Sequence, residues 1–406
     1  MSLFRHHVKQ KARLIHVYDI GSASVGGAVV LLEHGKKARI MYTVRRDVFM
    51  RETPDAKRFR DEILTALSGV VEDIAKHAPA HIRFTKHALL RPEKAFFMLA
   101  SPWYASQTRH VHVSFKRPTR IRQIDLEERA EREYQDFLKS PEVLALGDTS
   151  HTLFDRRIIQ VSVNGYETSV PEGKEATTLD MSIVFSIIPS DAATRMKEIC
   201  ERAFSSVEIV FQTFSLATFD IVRNKEPNLS ECMLLDVSGE VSEASFVREG
   251  VLWETVSFPV GKLTLVRRIA ELLGSTPDEA LSSLRMYAEN GFSREEKMRI
   301  GKAVETAAES WMRALRHAVS VSVPEEQMPS SVRLASDADV LSWLRSVLEH
   351  EEMSPQAVDM LYVHDLCDMS SGITYDSFLV VGSAFSARIC NENNPHRFSH
   401  TQGRRS

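Results

Sequence analysis

The chain has 406 residues, of which 43% are hydrophobic and 26% are charged. This length exceeds that of one small core and the composition excludes disordered and fibrous proteins, so we predict two or more folded domains. The formal net charge of -4 at pH 7 excludes a general affinity for nucleic acid. No stretch approaches the roughly 20 consecutive apolar residues that span a bilayer, so we expect a cytoplasmic protein.

Two segments share one pattern: an apolar strand that ends in an aspartate, a Gly/Ser turn and a second strand. The first contains Asp19-Ile-Gly-Ser22 and the second contains Asp236-Val-Ser-Gly239. Both are typical of hairpins, whose turns can offer backbone N–H groups to phosphate oxygens while the aspartate faces a metal ion or its waters. Two copies this far apart favour two facing lobes with a nucleotide between them.

The remaining elements alternate between helical and strand periodicity. Between the hairpins we predict, in chain order, a helix, two strands, a helix, two strands, a helix and a strand (residues 54–78, 94–100, 111–115, 125–138, 157–163, 181–188, 191–204 and 207–211). After the second hairpin we predict helices from Gly261, Asp278 and residue 294, a strand and helix over 332–348, and a strand over 378–381. Such alternation on each side of a polar linker, residues 223–231, indicates an α/β chain of two related halves.

The order of these features resembles the bacterial actin-like FtsA/PilM family over most of the chain. Asp19-Ile-Gly-Ser22 is similar to the family's first phosphate loop and Asp236-Val-Ser-Gly239 to its second. Phe258-Pro-Val-Gly261 is similar to the P-x-G-G segment that follows. Asn164-Gly-Tyr166 and Pro171-Glu-Gly173 resemble parts of the SHS2 subdomain that is inserted in this family. The order and spacing of these motifs carry the resemblance, because each motif alone is weak.

The resemblance implies an α/β fold of the actin-like, ribonuclease H-type class, with two lobes and an inserted SHS2 subdomain. The implied parts are, in chain order, a basic leader, the first part of lobe I, the SHS2-like insert, a return to lobe I, lobe II, a C-terminal return to lobe I and a flexible tail (residues 1–14, 15–120, 121–204, 205–225, 226–348, 349–390 and 391–406).

The resemblance also implies ATP with Mg²⁺ as the cofactor. The positions that it assigns to nucleotide binding are Asp19, Gly21, Ser22, Asp236, Ser238, Gly239, Gly261 and Ser336. Asp19 and Asp236 are assigned to the metal ion and its waters. The sequence identifies no catalytic residue.

Departures from the family pattern concentrate at the nucleoside end of the implied site. Ser336, Asp337 and Ala338 stand where the family has the glycines of its adenosine loop. Lys262 replaces the second glycine of P-x-G-G, and the acid-x-Leu-Lys motif appears as Ser282-Ser-Leu-Arg285, without its acid. Since only glycine lets the backbone approach a nucleoside closely, we predict that ATP binding is weak or lost.

The leading interpretation is an actin-like scaffold at the cytoplasmic face of the membrane, most similar to FtsA, that recruits membrane-assembly or division proteins and associates with itself. Membrane attachment is expected through those partners or through the basic N-terminus. A PilM-like component of type IV pilus assembly is the alternative, because the polar tail, residues 391–406, lacks an amphipathic membrane helix. An ATP-dependent kinase of the same fold is a further alternative, which needs a general base in the cleft.

Overall fold

The structure, a computed structural model, describes residues 12–48, 56–82, 91–146, 150–288, 294–324, 327–350, 357–361 and 364–391. Most of the predicted basic leader and of the predicted flexible tail lies outside these ranges. The strands of the described ranges are β1 (Arg13–Ile20), β2 (Ser24–Leu32), β3 (Arg39–Asp47), β4 (Pro92–Leu99), β5 (Ala105–Arg120), β6 (His151–Val163), β7 (Tyr166–Glu167), β8 (Glu175–Pro189), β9 (Glu208–Thr213), β10 (Cys232–Ser238), β11 (Val241–Arg248), β12 (Val251–Phe258), β13 (Ser331–Ser336), β14 (Ala357–Met360) and β15 (Asp368–Met369). The helices are α1 (Ala56–Ile82), α2 (Gln123–Phe137), α3 (Pro141–Ala145), α4 (Ser190–Ala203), α5 (Phe214–Lys225), α6 (Lys262–Leu273), α7 (Pro277–Ala288), α8 (Arg294–Ser322), α9 (Ala338–His350) and α10 (Ser377–Asn391).

Two of the sheets have the same internal order. The first runs β15-β3-β2-β1-β4-β9 and the second runs β12-β11-β10-β13-β14. In each, an antiparallel hairpin (β1–β2 or β10–β11) adds a third antiparallel strand on one side and a parallel strand on the other. Both predicted hairpins and the two related halves are therefore confirmed. We call the first sheet with its helices lobe I and the second sheet with its helices lobe II.

Helices cover both faces of the lobe I sheet. One face packs against α1 and α4, through buried side chains such as Leu67 and Met196, and the opposite face packs against α5 and α10, through Ile221 and Phe385. In lobe II, helices α6 to α9 build one core around the fully buried Trp311. Full burial of a Leu, Ile, Met or Phe side chain in these cores stabilises the fold by roughly 1.5–3 kcal/mol. None of the helices in the described ranges combines the length and the apolar character needed to cross a bilayer.

A third sheet forms a small module within lobe I, with the order β5-β8-β6-β7 and with α2 and α3 packed on it. The predicted insert began at residue 121, but β5 pairs with β8 along most of its length, so the module starts at Ala105. Its predicted helix over 191–204 corresponds to α4, whose Met196 and Cys200 lie in the core of lobe I. The module therefore ends with β8, at Pro189.

The C-terminal part differs from the prediction in two places. β14 pairs in parallel with β13, so the lobe II sheet extends beyond the predicted boundary at residue 348, and β15 is the strand that pairs with β3 of lobe I. The predicted strand over 378–381 is helical and forms the start of α10. A short apolar run does not distinguish a buried strand from a buried helix, which explains the error.

Candidate functional site

A cleft of about 990 Å³ opens between the lobes where the two hairpin turns face each other. Four of the predicted nucleotide contacts line this cleft, namely Asp19, Gly21, Ser238 and Gly239. The other four make contacts inside the protein instead and do not line it, namely Ser22, Asp236, Gly261 and Ser336. All eight predicted residues therefore lie near the two hairpin turns, but only half of them are accessible from the cleft.

The turns of the two hairpins touch each other directly. The backbone N–H of Glu240 donates to Ser22 Oγ at 2.8 Å. Gly239 has a φ of +54°, and a Cβ atom added to it would lie 2.1 Å from Ser22 Oγ. A Cβ atom on Gly261, which precedes α6, would lie 2.5 Å from the carbonyl oxygen of Gly239. Protein atoms thus close the lobes together at the predicted phosphate turns.

Asp19 is bonded to an arginine from the third strand of its own sheet. Arg45 Nη2 donates to Asp19 Oδ2 at 2.7 Å, Nε donates to Asp376 Oδ2 at 2.7 Å, and Nη1 donates to Ser24 Oγ at 2.7 Å. The guanidinium also lies over the ring of Phe378, 5.8 Å from its centroid. We call Arg45, Asp19, Asp376 and Ser24 the Arg45 cluster.

Burial and charge act in opposite directions within the Arg45 cluster. Burial is the larger effect on Asp19 and raises its pKa to about 6, although Arg45 acts to lower it. Burial alone would lower the pKa of Arg45, but Asp19 and Asp376 outweigh this effect and raise it. The arginine is therefore a permanent cation beside Asp19 at every physiological pH.

Asp236, the corresponding aspartate of lobe II, has an acid rather than a cation as its neighbour. Glu243 lies directly opposite it across the β10–β11 hairpin. The Glu243 carboxylate accepts hydrogen bonds from Ser101 Oγ and from the Tyr104 hydroxyl, both at 2.8 Å, and these two donors belong to the segment after β4. Glu243 thus ties lobe II to lobe I.

One oxygen of Asp236 is left without a partner. Its Oδ1 atom is buried and has no hydrogen-bond partner in the part of the chain that the structure describes. Burial first, and then the charge of Glu243, raise the pKa of Asp236 well above its ordinary value, and burial also raises the pKa of Glu243. Both effects oppose ionisation of the Asp236 carboxyl and favour its neutral form.

Strand register explains why the two aspartates differ. Across β1, β2 and β3 the aligned residues are Asp19, Gly26 and Arg45. Across β10, β11 and β12 the residues in the same positions are Asp236, Glu243 and Ser257. Only lobe I places an arginine where it reaches across a glycine to the aspartate.

Charged side chains fill the nucleoside end of the cleft. Lys262 Nζ donates to Asp337 Oδ2 at 2.8 Å and to both carboxylate oxygens of Asp339, at 2.9 and 3.0 Å. Arg285 Nη2 donates to Asp339 Oδ2 at 2.7 Å. Burial alone would lower the pKa of Lys262, but the charge of Asp337 and the bonds to both aspartates raise it. We call these four residues the Lys262 cluster.

Two residues that differ from the family pattern therefore form an ion pair with each other. Lys262 replaces a glycine of the P-x-G-G segment and Asp337 replaces a glycine of the adenosine loop, and these two residues form an ion pair. Ser336, the other predicted contact there, does not face the cleft. It is the last residue of β13, and its buried hydroxyl donates to the carbonyl oxygen of Val237 at 2.5 Å.

The sequence reasoning missed Arg45 and Asp376. They are far apart in the chain and neither belongs to a motif, so no local pattern links them to Asp19. One signal was present, since Gly26 and Gly27 interrupt the interior of a strand, where glycine often marks the close approach of another group. Gly26 makes room for Arg45, and Gly27 makes room for Val70 of α1.

Comparisons with known proteins support the fold through structure alone. No family model matches the sequence, and no curated protein matches it either. Among solved structures, a PilM-PilN type IV pilus biogenesis complex matches with a TM-score of 0.60 at 13% identity, covering 92% of this chain and 98% of that chain. The ethanolamine utilization protein EutJ from Carboxydothermus hydrogenoformans matches with a TM-score of 0.45 at 10% identity, covering 92% and 89%. A 2-hydroxyisocaproyl-CoA dehydratase activator from Clostridium difficile with bound ADPNP matches with a TM-score of 0.38 at 11% identity, covering 92% and 94%.

The likeness to the PilM-PilN structure and the paired hairpins define the fold of the protein. The chain has the actin-like ATPase fold, of the PilM/FtsA type. The predicted fold class is therefore confirmed in its two-lobed, actin-like part.

The residues of the cleft do not fit the Mg²⁺-nucleotide that this fold holds in ATPases. Asp19 is bonded to Arg45, the lobe II aspartate faces a glutamate, and Lys262 fills the nucleoside end with a closed set of ion pairs. In the described ranges no three His, Cys, Asp or Glu side chains are grouped as metal ligands. Of the polar side chains at this site, those of Asp19, Ser22, Lys262 and Ser336 are bonded to other parts of the chain.

Proposed function

We propose that this protein is an actin-like scaffold at the cytoplasmic face of a bacterial membrane, where it recruits membrane-assembly partners and associates with itself, with weak or lost ATP binding. The observation that carries this proposal is the cleft. Asp19 and Lys262, which lie at the two ends of the predicted nucleotide site, are both engaged in ion pairs within their own lobes. A protein with this fold and such a cleft is suited to binding other proteins rather than to turning over a substrate.

The kind of partner is inferred from the structural neighbour with the TM-score of 0.60. That neighbour is a PilM-PilN complex of type IV pilus biogenesis. The likeness favours a PilM-like role, in which the scaffold binds another component of a pilus assembly. The FtsA-like role in cell division is the second candidate, because residues 164–173 of the module resemble the FtsA insert.

The module formed by β5 to β8 is the proposed contact surface, as an SHS2-like insert. Tyr166 lies in β7 and Val170 in the segment between β7 and β8, and their side chains are 79% and 64% exposed. Tyr166 belongs to β7, an edge strand of two residues that pairs only with the end of β6 among the described strands. Large exposed apolar side chains beside an open sheet edge are typical of protein contact sites.

We expect the double substitution Tyr166→Asp and Val170→Asp to abolish partner recovery and to leave the fold intact, because it places two charges on the proposed contact surface. Both side chains are exposed, so the change in the free energy of unfolding should stay within about 0.5 kcal/mol each. The measurement is affinity purification of the tagged full-length protein from cross-linked cells of its own source, with partners identified by mass spectrometry.

The matched control is Val321→Asp, at a valine of α8 in lobe II that is 75% exposed. It should retain the partners. Recovery of pilus inner-membrane proteins supports the PilM-like role and recovery of division proteins supports the FtsA-like role. Recovery of neither set would contradict both, and equal loss with the control would contradict the module as the contact surface.

A kinase of the same fold, the remaining alternative, would use the cleft as an active site. It requires Mg²⁺-ATP to bind beside Asp19 and a general base to face the acceptor. Steady ATP hydrolysis or phosphate transfer by the wild-type protein that disappears in Asp19→Ala would overturn the scaffold proposal.

A further inference from the structure

We propose that Arg45 is a built-in cation that takes the place of a divalent metal ion in this actin-like cleft. The proposal deepens the proposed function, on which it rests only for the statement that the cleft does not use Mg²⁺-ATP. It assigns to one side chain the role of neutralising Asp19 and Asp376 and of holding β1, β3 and the start of α10 together.

The oxygen atoms around Arg45 are those that a hard cation prefers. Two carboxylates, from Asp19 and Asp376, and the hydroxyl of Ser24 converge on its guanidinium. Oxygen ligands of this kind, with carboxylates foremost, bind Mg²⁺ and Ca²⁺ in proteins. All three guanidinium nitrogens are used, and Nη2 makes a second contact with Asp376 Oδ1 at 3.2 Å.

Gly26 shows that the backbone is shaped around this side chain. It lies directly opposite Asp19 in the β1–β2 register and opposite Arg45 in the β2–β3 register. A Cβ atom at Gly26 would lie 2.6 Å from Arg45 Nη2 and 3.0 Å from its Cζ atom. Any other residue at this position would displace the guanidinium from Asp19. The bond between Arg45 and Asp19 therefore requires a glycine at position 26.

A metal ion and Arg45 exclude each other at this position. The guanidinium bonds to the same carboxylate oxygens that a metal ion would use, and two cations a few ångströms apart repel each other. The side chain of Asp19 is 6% exposed and that of Arg45, which lines the cleft, is 24% exposed, so solvent screens this repulsion only in part. Removal of the guanidinium leaves two carboxylates that face each other without a cation.

The test is a gain of metal dependence in Arg45→Ala. The full-length variant is melted thermally with and without millimolar MgCl₂, and its affinity for Mn²⁺ is measured by equilibrium dialysis. We expect the variant to melt below the wild-type protein without metal, to recover several degrees with MgCl₂, and to bind Mn²⁺ at least about tenfold more tightly than the wild-type protein.

The matched control is Arg46→Ala. Arg46 is the next residue of β3, on the opposite face of the strand, and it also pairs with an aspartate, Asp73, at 3.8 Å. It should show no response to metal. Arg45→Gln, which keeps hydrogen-bond donors near the carboxylates, is the second variant if the alanine variant does not fold, and folding of either variant only with Mg²⁺ also supports the proposal.

Three results would overturn the proposal: a wild-type response to MgCl₂ equal to that of Arg45→Ala, no response in either Arg45 variant, or failure of both to fold with and without metal. These results are independent of partner recovery by the module. If the Arg45 variants do not respond to metal but the wild-type protein recovers its partners, only the role of Arg45 is rejected. If the variants respond to metal but the wild-type protein recovers no partners, only the scaffold function is rejected.

Discussion

Gly261→Ala should destabilise the protein by about 3 kcal/mol or more, because it places an atom where the two hairpin turns and α6 meet. The added Cβ atom would lie 2.5 Å from Gly239 O, 2.6 Å from Val241 N and 2.8 Å from Glu240 C, which are all backbone atoms. Backbone cannot rotate away as a flexible side chain can. The turn would have to move, and it is bonded to Ser22 of lobe I.

The loss should appear in urea denaturation as a lower midpoint with an unchanged slope. Gly250→Ala is the matched control, at the β11–β12 turn of the same lobe. Gly250 has a φ of +71°, and a Cβ atom there would meet no atom of the described residues within 4 Å, so only backbone strain of roughly 1 kcal/mol is expected. Equal losses in the two variants would contradict the close packing of Gly261 against the backbone of the β10–β11 turn.

Asp236→Asn should stabilise the protein at neutral and alkaline pH, by about 2 kcal/mol at pH 8, because it removes the free-energy cost of keeping this carboxyl protonated, or of burying it ionised, beside Glu243. The wild-type carboxyl faces Glu243, and its Oδ1 atom is buried and unpaired within the described part of the chain. An asparagine has the shape of the neutral acid and cannot ionise. The same substitution at a metal ligand would have the opposite effect.

The direction in which Asp236→Asn changes the free energy of unfolding follows from the pKa of Asp236 in the native and unfolded states. Burial and Glu243 raise the pKa of Asp236 in the native protein above its ordinary value of 3.8. The native state therefore binds the proton more tightly than the unfolded chain, so the resulting stability is fully present below pH 3.8 and is lost as the pH rises through the native pKa. Stability of the wild-type protein should fall with rising pH, and Asp236→Asn should flatten the curve.

Urea denaturation of both proteins between about pH 5 and pH 8 measures the difference. Asp278→Asn is the control, since Asp278 is an exposed acid at the cleft, and its change should stay within about 0.5 kcal/mol. A loss of stability in Asp236→Asn at pH 8 would show that the ionised carboxylate has a favourable partner, as a metal ligand has.

The fold could be predicted from the sequence because its main features are local. Each hairpin is a strand, a Gly/Ser turn and a second strand within about twenty residues, and each amphipathic helix shows its own period. The boundaries of the module were harder to predict, because β5 pairs with β8, about seventy residues later, and because α4 packs in the core of lobe I. Hydrophobic periodicity predicts the type of an element but not the element against which it packs.

The site was predictable only in outline. Asp19 and Asp236 were found by their motif, and the substitution of Lys262 and Asp337 for glycines indicated a nucleoside end filled with side chains. That these two residues pair with each other follows only from three-dimensional structure. The Arg45 cluster could not be found, because it depends on strand register and on a residue near the C-terminus.

The scaffold proposal depends on one claim, that Arg45 and Lys262, paired with carboxylates of the chain itself, prevent Mg²⁺-ATP from binding in the cleft between the lobes. Thermal melting of the wild-type protein with and without millimolar Mg²⁺-ATP tests it most directly. A ligand that binds only the native state adds about 2.7 kcal/mol of apparent stability at a hundredfold excess over its dissociation constant. We predict no change in the melting temperature. A rise of several degrees with Mg²⁺-ATP, absent with ATP and a chelator, would contradict the claim.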